Sequence, residues 1–213
     1  MRFNSFLDSV VKIKHLELLG ELSHAKMSPP YRLELAKKMK EKAKSAKKAG
    51  VMALFYPNAH LQTNLVLILR KTYKGVHSAQ VGFPGGKFED DDKDLMTTAI
   101  RETEEEVGIS SSRVNIIKPM SPLYIPPSNY IVHPFLGVMS DTPQFYKQEE
   151  EVEDIIEVAL YDFLDESNVL TTKVPTSYNV EVEVPAFNLN NHIVWGATAM
   201  MLSELKDMLK QVL

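Results

Sequence analysis

A chain of 213 residues with 44% hydrophobic and 24% charged side chains carries enough apolar content to bury a core, which argues against a disordered or fibrous protein. No apolar run approaches the ~18 residues of a membrane span, and the N-terminal MRFNSFLDSVVKIKHLE lacks the apolar centre and small-residue cleavage site of a signal peptide, so the expectation is a cytoplasmic protein with no membrane partner. The absence of cysteine excludes disulfides, thiolate metal sites and a thiol nucleophile, leaving carboxylates and six His for oxygen-favouring metals, while a net charge of −4 gives no general attraction to nucleic acid.

Residues 1 to about 50 predict a helical extension ahead of a main domain over 51–213. Its clearer helix starts at Ser28-Pro29-Pro30, where a capping residue precedes prolines suited to a first turn. Leu35, Met39, Ala43 and Ala46 then form a helical stripe. The seven lysines from Lys37 to Lys48 read as a solvated face and not as a nucleic-acid patch, because no aromatics are interleaved with them. Gly50 is expected to end this element.

Beyond Gly50 the period shortens to that of strands. Val51 to Tyr56 and Leu65 to Leu69 are predicted strands, followed by Val114 to Ile117, Ile131 to Met139, Ile155 to Leu160 and, more weakly, Val180 to Val184. Ala197 to Leu213 predicts a closing amphipathic helix, with Trp195 just before it expected in the core. The order is mixed α/β, with no internal repeat.

Between the second and third strands lies a helix of different character, over roughly residues 94–107. Asp92 or Asp94 is placed to cap its start and Gly108 to end it. At about 100° per residue Met96, Ile100, Thr103 and Val107 share one face, while Glu102, Glu105 and Glu106 share another. Clustered carboxylates repel one another, and a divalent cation relieves that repulsion. Magnesium takes one or two carboxylates and completes its shell with water and phosphate oxygens. Just upstream, Gly85 and Gly86 permit a turn whose backbone can approach a phosphate or offer a carbonyl, with Lys87 beside them.

Arg101-Glu102-Thr103-Glu104-Glu105-Glu106-Val107-Gly108-Ile109 resembles the second half of the Nudix box: Arg-Glu, an apolar residue, any residue, Glu-Glu, any residue, Gly and an apolar residue. The first half departs from the pattern. Lys93 stands where a Glu is expected and Gly86 lies one residue too far back, so Asp92 or Asp94 is left as the substitute. Arg70, His77, Val81 and Phe83-Pro84-Gly85-Gly86 resemble the longer signature of the branch that includes coenzyme A pyrophosphatases, although Lys71, Lys74-Gly75 and Ala79 replace its Ser, Leu-Arg and Gly. Tyr130 to Phe135, Glu151-Val152 and Trp195 to Ala199 are similar to later segments of that branch.

The resemblance implies a Nudix α/β/α sandwich with a mixed sheet. It also implies a hydrolase that splits the phosphoanhydride of a nucleoside diphosphate derivative with Mg²⁺, or Mn²⁺ in its place. Glu102, Glu105, Glu106 and the carbonyl of Gly86 are the expected metal ligands. Glu105, Glu102 and Arg101 are the expected catalytic set, with Arg101 holding a carboxylate in position. Arg70, His77, Lys87 and Gly85 are expected at the substrate, and Glu151 is a further candidate carboxylate. Coenzyme A or an acyl-CoA is the leading substrate, its 3′-phosphate assigned to Lys71, Lys74 or Lys87. ADP-ribose, NADH and nucleoside triphosphates are alternatives, as is a non-catalytic ligand-binding regulator. The partner is a small diphosphate molecule, with a homodimer left open.

Overall fold

Alternation along the two longest apolar strands sets the architecture. In the computed structural model, which describes residues 1–71, 80–175 and 181–213, β1 (Lys47–Pro57) and β2 (Thr63–Arg70) are buried on both faces. Ala53 and Phe55 of β1, with Leu65 and Leu67 of β2, turn into one core, while Met52, Leu54 and Tyr56, with Val66 and Ile68, turn into another. A strand covered on both faces reads as a near-continuous apolar run, which is how these two appear in sequence.

The remaining strands are β3 (Val81–Gly82), β4 (Gly85–Lys87), β5 (Asn115–Pro119), β6 (Leu123–Ile125), β7 (Tyr130–Val138), β8 (Val152–Ala159), β9 (Val169–Pro175), β10 (Glu181–Leu189) and β11 (His192–Trp195). Among the described residues the main sheet has eight strands in the path β3-β2-β1-β7-β5, with β4 on β1, β6 on β7 and β8 on β2. The sheet is mixed, because β1 runs parallel to β7 while its other pairings are antiparallel. At the level of Ala49 the order across it is therefore β4, β1, β7, β6, with β4 continuing past Ala49 toward Val51 and β6 toward Lys47. Strands β9 to β11 form a separate antiparallel sheet.

Seven α-helices complete the described chain: α1 (Phe3–Val10), α2 (Glu21–His24), α3 (Arg32–Lys38), α4 (Lys40–Ala43), α5 (Leu95–Val107), α6 (Leu160–Leu164) and α7 (Gly196–Val212). Phe3, Phe6 and Val10 of α1 and Leu202, Leu205, Met208 and Leu209 of α7 cover one face of the sheet. Ala99 and Val107 of α5 cover the other. The result is an α/β/α sandwich.

The N-terminal segment is tied to α7 by buried polar groups. Glu204, fully buried, accepts from the Gly20 and Ser121 backbone N–H groups at 2.9 and 3.1 Å and from the Ser121 hydroxyl at 2.6 Å, with His24 Nε2 at 3.4 Å. Asp207, one turn on, takes Ser23 Oγ at 2.5 Å and Lys26 Nζ at 2.7 Å. Burial pushes the Glu204 carboxyl up, but its neighbours and donors outweigh that and hold it below its ordinary value.

Several sequence expectations change here. Gly50 does not end a helix; it lies inside β1 against α5. A Cβ there would stand 2.3 Å from the Leu95 carbonyl oxygen, so glycine is what lets the helix cross. The single helix expected from Ser28 is two short ones, α3 and α4, meeting at Met39, and Ser28 makes no cap. The described lysines of this stretch, Lys37, Lys38, Lys42, Lys44, Lys47 and Lys48, are exposed. Met96 leaves the packing face at 38% exposure. Strand Val180 to Val184 lies further along as β10, and Val180 itself lies outside the described residues.

Candidate active site

Helix α5 starts where Asp94 accepts the Thr97 N–H at 2.8 Å and ends where Gly108 takes a left-handed conformation (φ 74°) and donates its N–H to the Glu104 carbonyl. Asp94 is the cap, and Asp92 does something else. Its Oδ1 and Oδ2 accept from Arg101 Nε and Nη2, each at 3.0 Å, and Oδ2 also takes the Thr98 hydroxyl at 2.8 Å and the Glu89 N–H at 3.0 Å. Fork-to-fork pairing with a guanidinium holds the Asp92 carboxyl far below the ordinary carboxylate range.

The same guanidinium reaches the carboxylate cluster. Arg101 Nη1 donates to Glu102 Oε1 at 3.1 Å and Glu105 Oε2 at 3.0 Å, and Nη2 donates to the Lys87 carbonyl at 3.2 Å. Arg101 thus joins the loop before the helix to two of its carboxylates. Glu104 points away and accepts the Ser111 N–H.

Glu102, Glu105 and Glu106 do not share one open face as expected. Glu105 is exposed, Glu102 is half-buried and Glu106 is 2% exposed. The packing side of α5 is Ala99, Thr103 and Val107, with the Thr103 hydroxyl satisfied by the Ala99 carbonyl. Glu106 lies next to that side and turns under the glycine turn, where its Oε2 accepts the Gly85 N–H at 2.7 Å. Its Oε1 stands 3.3 Å from Arg70 Nη2 in an ion pair but receives no hydrogen bond.

Burial pushes the Glu106 carboxyl up to about 7 against the pull of Arg70 and the Gly85 N–H, and the charges of Glu102 and Glu151 push it further. Glu102 is raised for the same first reason, burial, with Glu105 and Glu151 adding to it and Arg101 opposing. Glu151, on the turn before β8, is therefore within electrostatic reach of both.

Gly85 and Gly86 bring β4 against this helix. Arg70 donates to the Gly85 carbonyl, so that glycine is held from both sides. A Cβ on Gly86 would lie 2.2 Å from Glu102 Oε1, so the Glu102 carboxylate occupies space that only glycine leaves free. Among the described residues no three His, Asp or Glu side chains converge closely enough to enclose an ion by themselves. The arrangement still suits a hard divalent cation: magnesium needs few protein carboxylates, and here a buried carboxylate oxygen receives no hydrogen bond, beside a second carboxylate and the Gly85-Gly86 turn.

On the α7 face of β4 opens a cleft of about 530 Å³. Its lining includes Arg70, Gly85, Gly86 and Lys87 at one end and Tyr31, Arg32, Pro126 and Trp195 elsewhere. Trp195 is half-buried on this wall, not in the core as expected. Lys71 is half-buried at the end of β2 and is not part of the lining. His77 and Lys74 lie outside the described residues.

The sequence does not separate Asp92 from Asp94 and does not single out Tyr31 or Arg32. The signal for Asp92 was weak, because a loop has no fixed period to place its side chain opposite Arg101. Arg32 was obscured by the lysine-rich run that follows it.

The fold and this helix define a class, and sequence comparison agrees with it. The NUDIX domain family matches residues 46–177. The chain is 33% identical over 144 residues to NudL of Yersinia pestis (strain Pestoides F), an uncharacterized Nudix hydrolase, covering 68% of this chain and 71% of that one. It shares its fold with the Nudix hydrolase RenU of M. smegmatis (TM-score 0.54, 10% identity, 79% of this chain and 88% of that one) and with a MutT/nudix family protein of Enterococcus faecalis (TM-score 0.51, 14% identity, 93% and 71%). The protein belongs to the Nudix family and is a Nudix hydrolase, an enzyme acting on phosphorus-containing anhydrides.

Proposed function

We propose that this Nudix hydrolase is a Mg²⁺-dependent pyrophosphohydrolase whose substrate is coenzyme A or an acyl-CoA. The observation that carries the metal assignment is Glu106, a buried carboxylate with one oxygen lacking a hydrogen-bond donor, next to Glu102 and the Gly85-Gly86 backbone. Glu102 and Glu106 would hold the ion, assisted by Glu105 and the Gly86 carbonyl. Bound there, a divalent cation neutralises diphosphate oxygens and makes a water molecule more acidic.

The chain's own residues supply the rest. Arg70 and Lys87 line the cleft at the glycine turn and balance the substrate's negative charge. Arg101 is a positioning residue: clamped by Asp92, it fixes Glu102 and Glu105 at 3.1 and 3.0 Å. Glu105, exposed beside it, accepts the proton as the water oxygen bonds to phosphorus. The anhydride P–O bond breaks, and the departing phosphate keeps the electron pair. The substrate assignment draws on the likeness to the coenzyme A pyrophosphatase signature and on a cleft that combines cations with an apolar wall.

The test is a substrate panel of coenzyme A, ADP-ribose, NADH, a dinucleoside polyphosphate and an NTP, with Mg²⁺ and isotope-labelled water, the products being read by mass spectrometry. Coenzyme A is expected to give two phosphate-ended products, one carrying a single labelled oxygen. Absence of coenzyme A turnover, with another substrate hydrolysed, would overturn the substrate and leave the reaction.

A further inference from the structure

Among the described residues Arg32 is the cation in the cleft that the site described so far does not use. It stands on α3, in the N-terminal extension ahead of the NUDIX match. It is half-buried and lines the cleft, and its guanidinium donates to the Tyr124 carbonyl of β6. Among the described residues no carboxylate pairs with it, whereas Arg70 is paired with Glu106 and Arg101 with Asp92, Glu102 and Glu105. The cleft lining, among the described residues, holds Arg32, Arg70 and Lys87 and no acidic side chain. A partly desolvated cation without a counter-charge, facing a concave surface that contains no anion, is poised for an anionic ligand group. Burial pulls the guanidinium below its ordinary value, the mark of a charge short of compensation.

The sheet supplies the spacing. Arg32 hangs on β6 and the diphosphate end lies at β4, with β1 and β7 between them. Tyr124 is level with Lys48, one residue along the strands from Lys87 and two from Gly86, so three strand spacings and that offset span about 15 to 16 Å. With about 4 Å at each end from a donor nitrogen to a phosphorus, about 7 to 8 Å separates the two phosphorus atoms. That is the scale of two phosphates on one ribose, and too short for the far end of a dinucleotide.

The geometry points to Arg32 as a specificity-determining residue that binds a second phosphate carried on the same ribose as the scissile diphosphate. The inference rests on the reading of this protein as a nucleoside-diphosphate hydrolase and assigns the additional phosphate to the extension and not to Lys71, Lys74 or Lys87. Residues 20–26, which lead toward α3, are anchored on α7 through Glu204 and Asp207, and Arg32 itself is tied to β6. The second phosphate can sit at the 3′ or the 2′ position, and the experiment separates the two.

Trp195, the single tryptophan, lines the same cleft, so binding can be followed by its fluorescence without metal or turnover. AMP, adenosine 3′,5′-bisphosphate and adenosine 2′,5′-bisphosphate are titrated into the full chain and into Arg32→Gln, Arg32→Lys and Lys37→Gln, an exposed position on the same helix. One bisphosphate is expected to bind about tenfold more tightly than AMP, as one charge-assisted contact allows. That ratio should fall to near one in Arg32→Gln, stay intermediate in Arg32→Lys and persist in Lys37→Gln. Which bisphosphate wins identifies the 3′ or 2′ source. Equal affinity for AMP and both bisphosphates, no measurable binding of any of the three, or an unaltered ratio in Arg32→Gln overturns the inference. Because no hydrolysis is read, failure to turn over coenzyme A strikes the proposed function and leaves this ratio intact.

Discussion

Glycine at two positions performs two different tasks, and the same substitution separates them. At Gly50 a methyl group would meet the Leu95 backbone carbonyl at 2.3 Å, which cannot move without shifting α5. Gly50→Ala is expected to destabilise by about 2 kcal/mol, seen as a lower urea midpoint. At Gly86 the obstacle is the end of the Glu102 side chain, which can swing away. Gly86→Ala should leave the midpoint nearly unchanged while lowering kcat/KM by about tenfold or more, because a displaced carboxylate misplaces whatever it holds. Asp92 gives a pH signature. Its folded pKa lies below the ordinary 3.8, so its stabilisation is present above that value and is lost as pH falls through and below it. Stability of the unaltered protein should therefore fall more steeply than that of Asp92→Asn between about pH 5 and pH 3, the variant starting about 2 kcal/mol less stable at neutral pH. The motif made Arg101, Glu102, Glu105 and Glu106 legible in sequence. Asp92 was not, because the choice between it and Asp94 depends on a loop path that brings one carboxylate to Arg101 and Thr98 and leaves the other at Thr97.

At the scale of elements, α5 shows how far periodicity carries. It gave the helix its limits within a residue, since Asp94 and Gly108 are strong local signals. It did not foresee that Glu106 is buried or that Met96 is exposed, because burial depends on where β4 and its glycines lie across the helix. Short strands such as β4, β6 and β11 have too few residues to show a period and are stabilised by their partners. The N-terminal extension was readable as helical but not as part of the cleft, since its position depends on contacts with α7 more than 180 residues away in sequence. Those contacts differ in weight. Glu204 is fully buried with three donors, so Glu204→Ala should cost about 3 kcal/mol and lower Tm by about 10 °C. Lys26→Ala, which removes an ion pair whose lysine is 58% exposed, should cost under about 1 kcal/mol by the same thermal scan.

For the whole molecule, the elements showed a mixed α/β order, the resemblance to the Nudix family implied an α/β/α sandwich, and the two apolar strands at its centre match it. The cleft was hidden from sequence, because it is assembled from α3, β4, the turn before β7 and the start of α7, which only the folded sheet brings together. Its cations and its apolar wall lie beside the glycine turn that packs on the carboxylates of α5, which is why it is proposed as the substrate's place. Hydrolysis is proposed to depend on a divalent ion held by Glu106 with Glu102. The most direct measurement is the Mg²⁺-saturated turnover of Glu106→Gln on the best substrate of the panel, with circular dichroism showing that the variant is folded. A loss of about a hundredfold or more in kcat is the expected result. Turnover equal to that of the unaltered protein would show that hydrolysis does not depend on an ion held by Glu106.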